Sequence, residues 1–217
     1  GVNGPEIWLT DGTSTGTSRI ADLPGGSGSF LNAPNIDLFG SIGNVLFFAY
    51  RESTNGQELW RTDGTMSGTF MVKDIAPGST SGVCGDRAYV ANNWILFDGI
   101  GNTSGQMCRV WRTDGTEQGT FSLPYLSPIH YNDAHVFDDE IYLYHYEWYV
   151  TDGSSSAARL VSDINPSDGN SSTDSVRFVT DTSKFIFAAS DGISGTELWK
   201  SDGTDSGTLR IADISPG

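Results

Sequence analysis

One phrase written five times constrains this chain more than any other feature of it. The copies are Glu6-Ile7-Trp8-Leu9-Thr10-Asp11-Gly12-Thr13, Glu58-Leu59-Trp60-Arg61-Thr62-Asp63-Gly64-Thr65, Val110-Trp111-Arg112-Thr113-Asp114-Gly115-Thr116, Glu147-Trp148-Tyr149-Val150-Thr151-Asp152-Gly153 and Glu197-Leu198-Trp199-Lys200-Ser201-Asp202-Gly203-Thr204. Successive motif aspartates lie 52, 51, 38 and 50 residues apart, so three units are full length and one is short. A second signal keeps the register: Asp22, Asp74, Asp163 and Asp213 each follow their motif aspartate by 11 residues. In the third copy Tyr125 takes that place, although Pro128 still matches Pro77. Repeats of about 40–50 residues belong to propeller blades or to helical arrays.

Periodicity decides between the two. No stretch carries apolar residues at helical spacing for ten or more residues, whereas short runs rich in β-branched and aromatic residues recur between Gly, Ser, Asn and Asp clusters. In the second unit strand a reads as Asn35–Phe39, b as Val45–Tyr50, c as Glu58–Thr62 and d as Thr69–Asp74. The expected fold is all-β: a β-propeller-like array of four-stranded antiparallel blades within one domain spanning residues 1–217. The blades are expected at 27–78, 79–128, 129–167 and 168–217, with residues 1–26 supplying only strands c and d of a half-blade.

The motif residues fit such a blade. Alternation sends Leu59 and Trp60 to opposite faces, and a blade stacked between two others needs apolar groups on both. Trp8, Trp60, Trp111, Trp199 and, in the fourth copy, Tyr149 are therefore expected to wedge between blades. Asp11, Asp63, Asp114, Asp152 and Asp202 open the c–d turn, where Asp bonds downstream amides and the following Gly takes positive φ.

On these motifs the chain resembles the ELWxxDGT repeat family, found mostly in large secreted or surface proteins of bacteria. Lys73-Asp74-Ile75-Ala76-Pro77-Gly78 and Ala212-Asp213-Ile214-Ser215-Pro216-Gly217 match the ending of the family's unit. The resemblance covers essentially the whole chain and implies a β-propeller-like fold in an extracellular or cell-surface setting. The family carries no agreed activity or catalytic residues to transfer. The chain departs from its pattern at Arg109, which replaces the motif Glu, at Tyr149, and at Ser154, Ala157 and Ala158.

Because the sequence opens with strands c and d, the half-blade is expected to present unpaired backbone that a neighbouring chain or repeat completes. Twelve Lys and Arg against 27 Asp and Glu give a net charge of −15, which argues against nucleic acid and anionic membranes as partners. No apolar run is long enough to span a bilayer.

Cys84 and Cys108 fall at the same end of the third blade, where a disulfide is expected; two free thiols are the alternative. Asn102 and Asn170 head sequons in exposed connections and are candidate glycan sites, whereas Pro166 disqualifies Asn165. His130, His135 and His145 lack paired ligand spacing on a common element. Asp138-Asp139-Glu140 reads as an a–b turn; calcium is the alternative there, without the alternating oxygen ligands of a calcium loop. No other cofactor is implied. No nucleophile-elbow sequence occurs, and Gly26-Ser27-Gly28 has no following helix, so an enzyme is not expected.

The short fourth unit has lost its b–c loop and is rich in aromatics: Tyr131, Tyr142, Tyr144, Tyr146, Trp148 and Tyr149. Of these, Tyr131, Tyr144, Tyr146 and Trp148 are candidates for stacking on a sugar or a protein; filling of inter-blade space is the alternative. Two functions follow as expectations. One is a non-enzymatic surface module that assembles with copies of itself or with neighbouring repeats, as an adhesin, filament or appendage. The other is a glycan-binding propeller using the aromatic unit.

Overall fold

The structure, a computed structural model, describes residues 6–23, 36–100, 107–123, 133–154, 158–167, 171, 176–179 and 184–214. Among them every regular element is a strand. No helix of the described residues is long and apolar enough to cross a membrane.

Strands β1 (Glu6–Leu9) and β2 (Ser18–Asp22) form a two-stranded hairpin. Four four-stranded antiparallel sheets follow, each with its strands in meander order. They comprise β3 (Ile36–Ile42), β4 (Val45–Glu52), β5 (Gly56–Thr62) and β6 (Phe70–Lys73); then β7 (Val83–Val90), β8 (Ile95–Ile100), β9 (Cys108–Thr113) and β10 (Phe121–Ser122). The third comprises β11 (Asp133–Phe137), β12 (Glu140–His145), β13 (Glu147–Thr151) and β14 (Arg159–Ser162), and the fourth β15 (Val176–Val179), β16 (Lys184–Ser190), β17 (Thr196–Ser201) and β18 (Leu209–Ala212). All-β architecture and the four-stranded meander are thus observed, and the second unit's strands fall where the sequence places them, to within three residues. The chain divides into two compact units, Gly1–Pro124 and Tyr125–Gly217.

Within each unit the sheets stack face to face, and strand alternation explains why. In the first unit Leu59 and Phe47 join Phe39, Val83, Phe97 and Trp111 in a core between the β3–β6 and β7–β10 sheets. Their strand neighbours Trp60 and Phe48 turn to the opposite face and pack with Ile7 and Leu23 from the hairpin segment. In the second unit Tyr142, Tyr144, Trp148 and Val161 meet Phe185, Phe187, Ala189 and Trp199 between its two sheets. A sheet covered on both faces needs apolar residues at consecutive positions, and the run Phe47-Phe48-Ala49-Tyr50 supplies them.

Connections follow local chemistry. Asp138 and Asp139 form a two-residue β11–β12 turn with φ of 50° and 67°, the left-handed pair such a hairpin requires and which Asp tolerates. A bulge recurs at one place: the pairing of motif strand and closing strand shifts between Ile7 and Trp8, Leu59 and Trp60, Trp148 and Tyr149, and Leu198 and Trp199. It leaves Val72 and Val161 as extra residues whose side chains enter the cores.

Candidate functional site

The repeated chemistry resolves into three devices. The first is the Asp-Gly-Thr turn. Asp63 Oδ1 accepts from the Thr65 amide at 2.9 Å and from its hydroxyl at 2.7 Å. The Thr65 hydroxyl in turn accepts from the Gly68 amide at 3.0 Å, and Thr69 donates to the Thr65 carbonyl at 2.7 Å. Asp11, Asp114 and Asp202 repeat this arrangement, and Asp152 keeps the bond to the amide of Ser154. The threonine hydroxyl, then its amide, hold the Asp11 and Asp63 carboxyls below the usual range. The fifth residue after each full-motif aspartate is glycine for a reason of space: a Cβ on Gly16, Gly68, Gly119 or Gly207 would sit 1.9–2.0 Å from the nearest carboxylate atom.

The second device, not assigned from the sequence, belongs to the motif glutamate. Glu58 is fully buried and accepts the amides of Ile75 (2.8 Å), Ala76 (3.4 Å) and Gly82 (2.8 Å). It thereby clamps the Asp74–Gly78 turn and the entry to β7 onto β5. Glu147 accepts the Asn165 amide at 3.3 Å, and Glu197 accepts the Ile214 amide. Burial pushes the Glu58 carboxyl up to about 7 against the pull of the three amides, and burial raises Glu147 likewise. The signal for this role was the joint loss in the third copy of the motif glutamate, at Arg109, and of the closing aspartate, at Tyr125.

The third device joins one sheet to the next. Arg61 on β5 donates to the carbonyl of Gly115 in the following sheet's turn at 3.2 Å, and Lys73 donates to Glu117 and Thr120 there at 3.1 and 2.9 Å. In the second unit Arg159 on β14 donates to the carbonyl of Gly203 at 2.6 Å, beside Ser162 on Asp205 at 2.7 Å. The glycine after the motif aspartate is thus where the preceding sheet takes hold.

The candidate aromatic surface is corrected by the fold. Tyr144 and Trp148 lie buried in the second unit's core, against Phe185 and Phe187, where neither ring is open to a sugar. Both face the adjacent sheet because β12 and β13 are covered on that side. Tyr146 is 51% exposed, holds φ at 64°, and stacks edge-on to His145 with ring centroids 4.4 Å apart. Tyr149 is half-buried. Tyr131, His130, Asn102 and Asn170 lie outside the described residues. Cys84 and Cys108 form a disulfide between β7 and β9, with Cα atoms 6.0 Å apart. His135 lies near Trp148 on β11 and His145 closes β12; among the described residues no three His, Cys, Asp or Glu side chains gather as a metal site.

No protein-family model matches the chain, and a search of curated proteins gives no significant match. Among solved structures it is similar to a puromycin hydrolase, at 15% identity and a TM-score of 0.42, over 83% of this chain and 33% of that one. It is also similar to a GH74 enzyme of Niastella koreensis, at 14% identity and a TM-score of 0.42, over 83% of this chain and 24% of that one. The chain spans a third or less of the length of these proteins. At such values the likeness says nothing about activity.

Proposed function

We propose that this chain is a non-enzymatic, extracellular structural module of the ELWxxDGT repeat kind. In this reading its sheets are blades of a β-propeller-like array, four complete and one half, that assembles with further copies or repeats at a cell surface. One observation carries it: among the described residues, the motif groups of the four-stranded units are occupied in holding the fold. The aspartates cap turns, the glutamates clamp backbone, and Trp60, Trp111 and Trp199 fill space between sheets. An array whose recurring residues serve its turns and cores suits a scaffold better than a multivalent lectin, which repeats its binding groups. The disulfide is consistent with an oxidising compartment.

The test is electron microscopy of the natively purified protein. Regular fibres or sheets support the module; discrete particles at all concentrations refute the assembly part. A glycan array run beside it addresses the other reading, for which Tyr146 is the exposed aromatic.

A further inference from the structure

An acidic or amide residue followed by glycine has one chemical weakness. The glycine carries no side chain to hinder it, so its amide nitrogen can close on the preceding Cγ and form a succinimide. The motif repeats such a step five times, and the fold guards each copy. The glycine amide donates to the hydroxyl two residues earlier: Gly12 to Thr10 at 3.0 Å, Gly64 to Thr62 at 3.1 Å, Gly115 to Thr113 at 3.0 Å, Gly153 to Thr151 at 3.1 Å and Gly203 to Ser201 at 3.0 Å. In all five the aspartate Oδ1 accepts the amide two residues on. Ring closure at aspartate needs the neutral acid, which at neutral pH is roughly one carboxyl in 10³. Asp191-Gly192 is held the same way, with Gly192 donating to Ser190 at 3.2 Å, and Asp98-Gly99 lies inside the β8 ladder.

Asn55-Gly56, in the β4–β5 connection, differs on each count. Its electrophile is a neutral carboxamide at every pH. The group the fold holds is the leaving nitrogen: Asn55 Nδ2 donates to Glu52 Oε1. Ser53 and Thr54 beside it are exposed and Asn55 is half-buried, so water reaches the turn. Gly56, at φ 70°, closes the ladder opposite Glu52. That rung is the last of the hairpin, and end rungs open before interior ones.

We infer that Asn55 is a site of spontaneous deamidation that unfastens the β4–β5 tip. The Gly56 nitrogen bonds to the Asn55 Cγ, the Cγ–Nδ2 bond breaks, and Nδ2 leaves as ammonia with the proton that Gly56 gives up. Water then opens the ring at either carbonyl, giving aspartate or isoaspartate at position 55. Both products replace a donor to Glu52, itself only 8% exposed, by a second carboxylate facing it. Isoaspartate also lengthens the main chain by one carbon just before Gly56, where space is short: a Cβ on Gly56 would sit 2.5–2.8 Å from the Thr80 carbonyl and the Ser81 nitrogen. The same contact carries the Gln57 amide to Ser81 Oγ at 3.2 Å and the Gly82 amide to the Gln57 carbonyl at 2.9 Å. Modification therefore loosens the tip from residues 80–82, and with them the Gly82 leg of the Glu58 clamp.

The test is timed incubation of the 217-residue chain, native and in urea, at neutral and mildly alkaline pH. Peptide mapping by mass spectrometry locates the amide-to-acid mass gain, and isoaspartyl methyltransferase labelling counts isoaspartate. In the native chain Asn55 should convert at least about tenfold faster than any motif aspartate, since those are almost wholly ionised, and faster still at the higher pH. In urea the gap should narrow as the motif turns lose their guards. Asn55→Gln should remove the signal at position 55. Asn55→Asp, without ageing, should speed amide exchange at Gln57 and Gly82. An Asn55 that stays intact in the native chain, or converts no faster than the motif aspartates, overturns the site; unchanged exchange in Asn55→Asp overturns the unfastening.

Discussion

Replacing Glu58 by alanine removes the acceptor for three amides at once. Ile75 and Gly82 donate to it at 2.8 Å and Ala76 at 3.4 Å; Gly82 also donates to the Gln57 carbonyl at 2.9 Å and so is not wholly orphaned. One short bond lost outright and two lost in part come to about 3 kcal/mol, since a buried group left unsatisfied costs roughly 1–3 kcal/mol. For a chain of this length that lowers the thermal midpoint by about 6–12 °C. A stability loss alone does not identify the clamp, because any buried truncation produces one. Gly82→Ala supplies the second leg of a cycle. Its Cβ would lie 2.4 and 2.5 Å from the two Glu58 oxygens and 2.5 Å from the Ile75 Cβ, so it displaces the same carboxylate from the opposite side. Urea melts of the two single variants and the double variant should show the double losing at least about 1 kcal/mol less than the sum, as residues sharing one network do. Part of the Gly82→Ala cost persists without Glu58, because Ile75 still crowds the site. Additivity within about 0.5 kcal/mol would refute the clamp.

Three further outcomes follow from the same structure. The Glu58 carboxyl is raised from its ordinary 4.5 to about 7 by burial, so the fold binds its proton more tightly than the unfolded chain does. Its stabilisation is full below about 4.5 and is lost as pH rises to about 7, by at most roughly 3 kcal/mol; melting midpoints of Glu58→Gln should fall less across that window than those of the wild type, and equal slopes contradict the assignment. Reducing the Cys84–Cys108 bond, which closes a separation of 24 residues, should destabilise by about 3 kcal/mol, with amide exchange accelerating in β7 and β9 before β4 and β5; uniform acceleration argues against a local pin. Tyr146 sits at φ 64°, where a bulky side chain is strained, so Tyr146→Asn should raise the thermal midpoint by about 1–2 °C, and a fall would show that the ring's contacts outweigh the strain.

The sheets were legible because the signal for them is redundant. Alternation, turn residues and a fixed register each point to the same four strands, and the Asp-Gly-Thr turn is local enough that Asp63, Gly64 and Thr65 specify it without tertiary help. The glutamate clamp was not legible, since the amides that donate to it lie 17 to 24 residues downstream and a glutamate in a strand gives no sign that it is buried. The bulge opposite the motif tryptophan was missed for a similar reason: an extra residue in the closing strand leaves composition unchanged and appears only in the pairing. The aromatic cluster failed as a surface because alternating tyrosines serve a face packed on another sheet as well as one open to solvent.

The third repeat shows why the clamp and the closing turn belong together. Arg109 stands where the buried glutamate would be, and Tyr125 where the closing aspartate would be. An unclamped turn has no need of its aspartate, and an unused glutamate would be a buried carboxylate without donors, so neither half is worth keeping alone. The same repeat alone carries the disulfide, and Cys108 immediately precedes Arg109 at the start of β9. Glu58 ties β5 to Gly82, two residues before Cys84, and the Cys84–Cys108 bond then ties that segment to the head of β9. From one motif strand to the next the fastening is therefore continuous at this end of the sheets: a carboxylate between amides where the motif is intact, and a covalent bond where it is not.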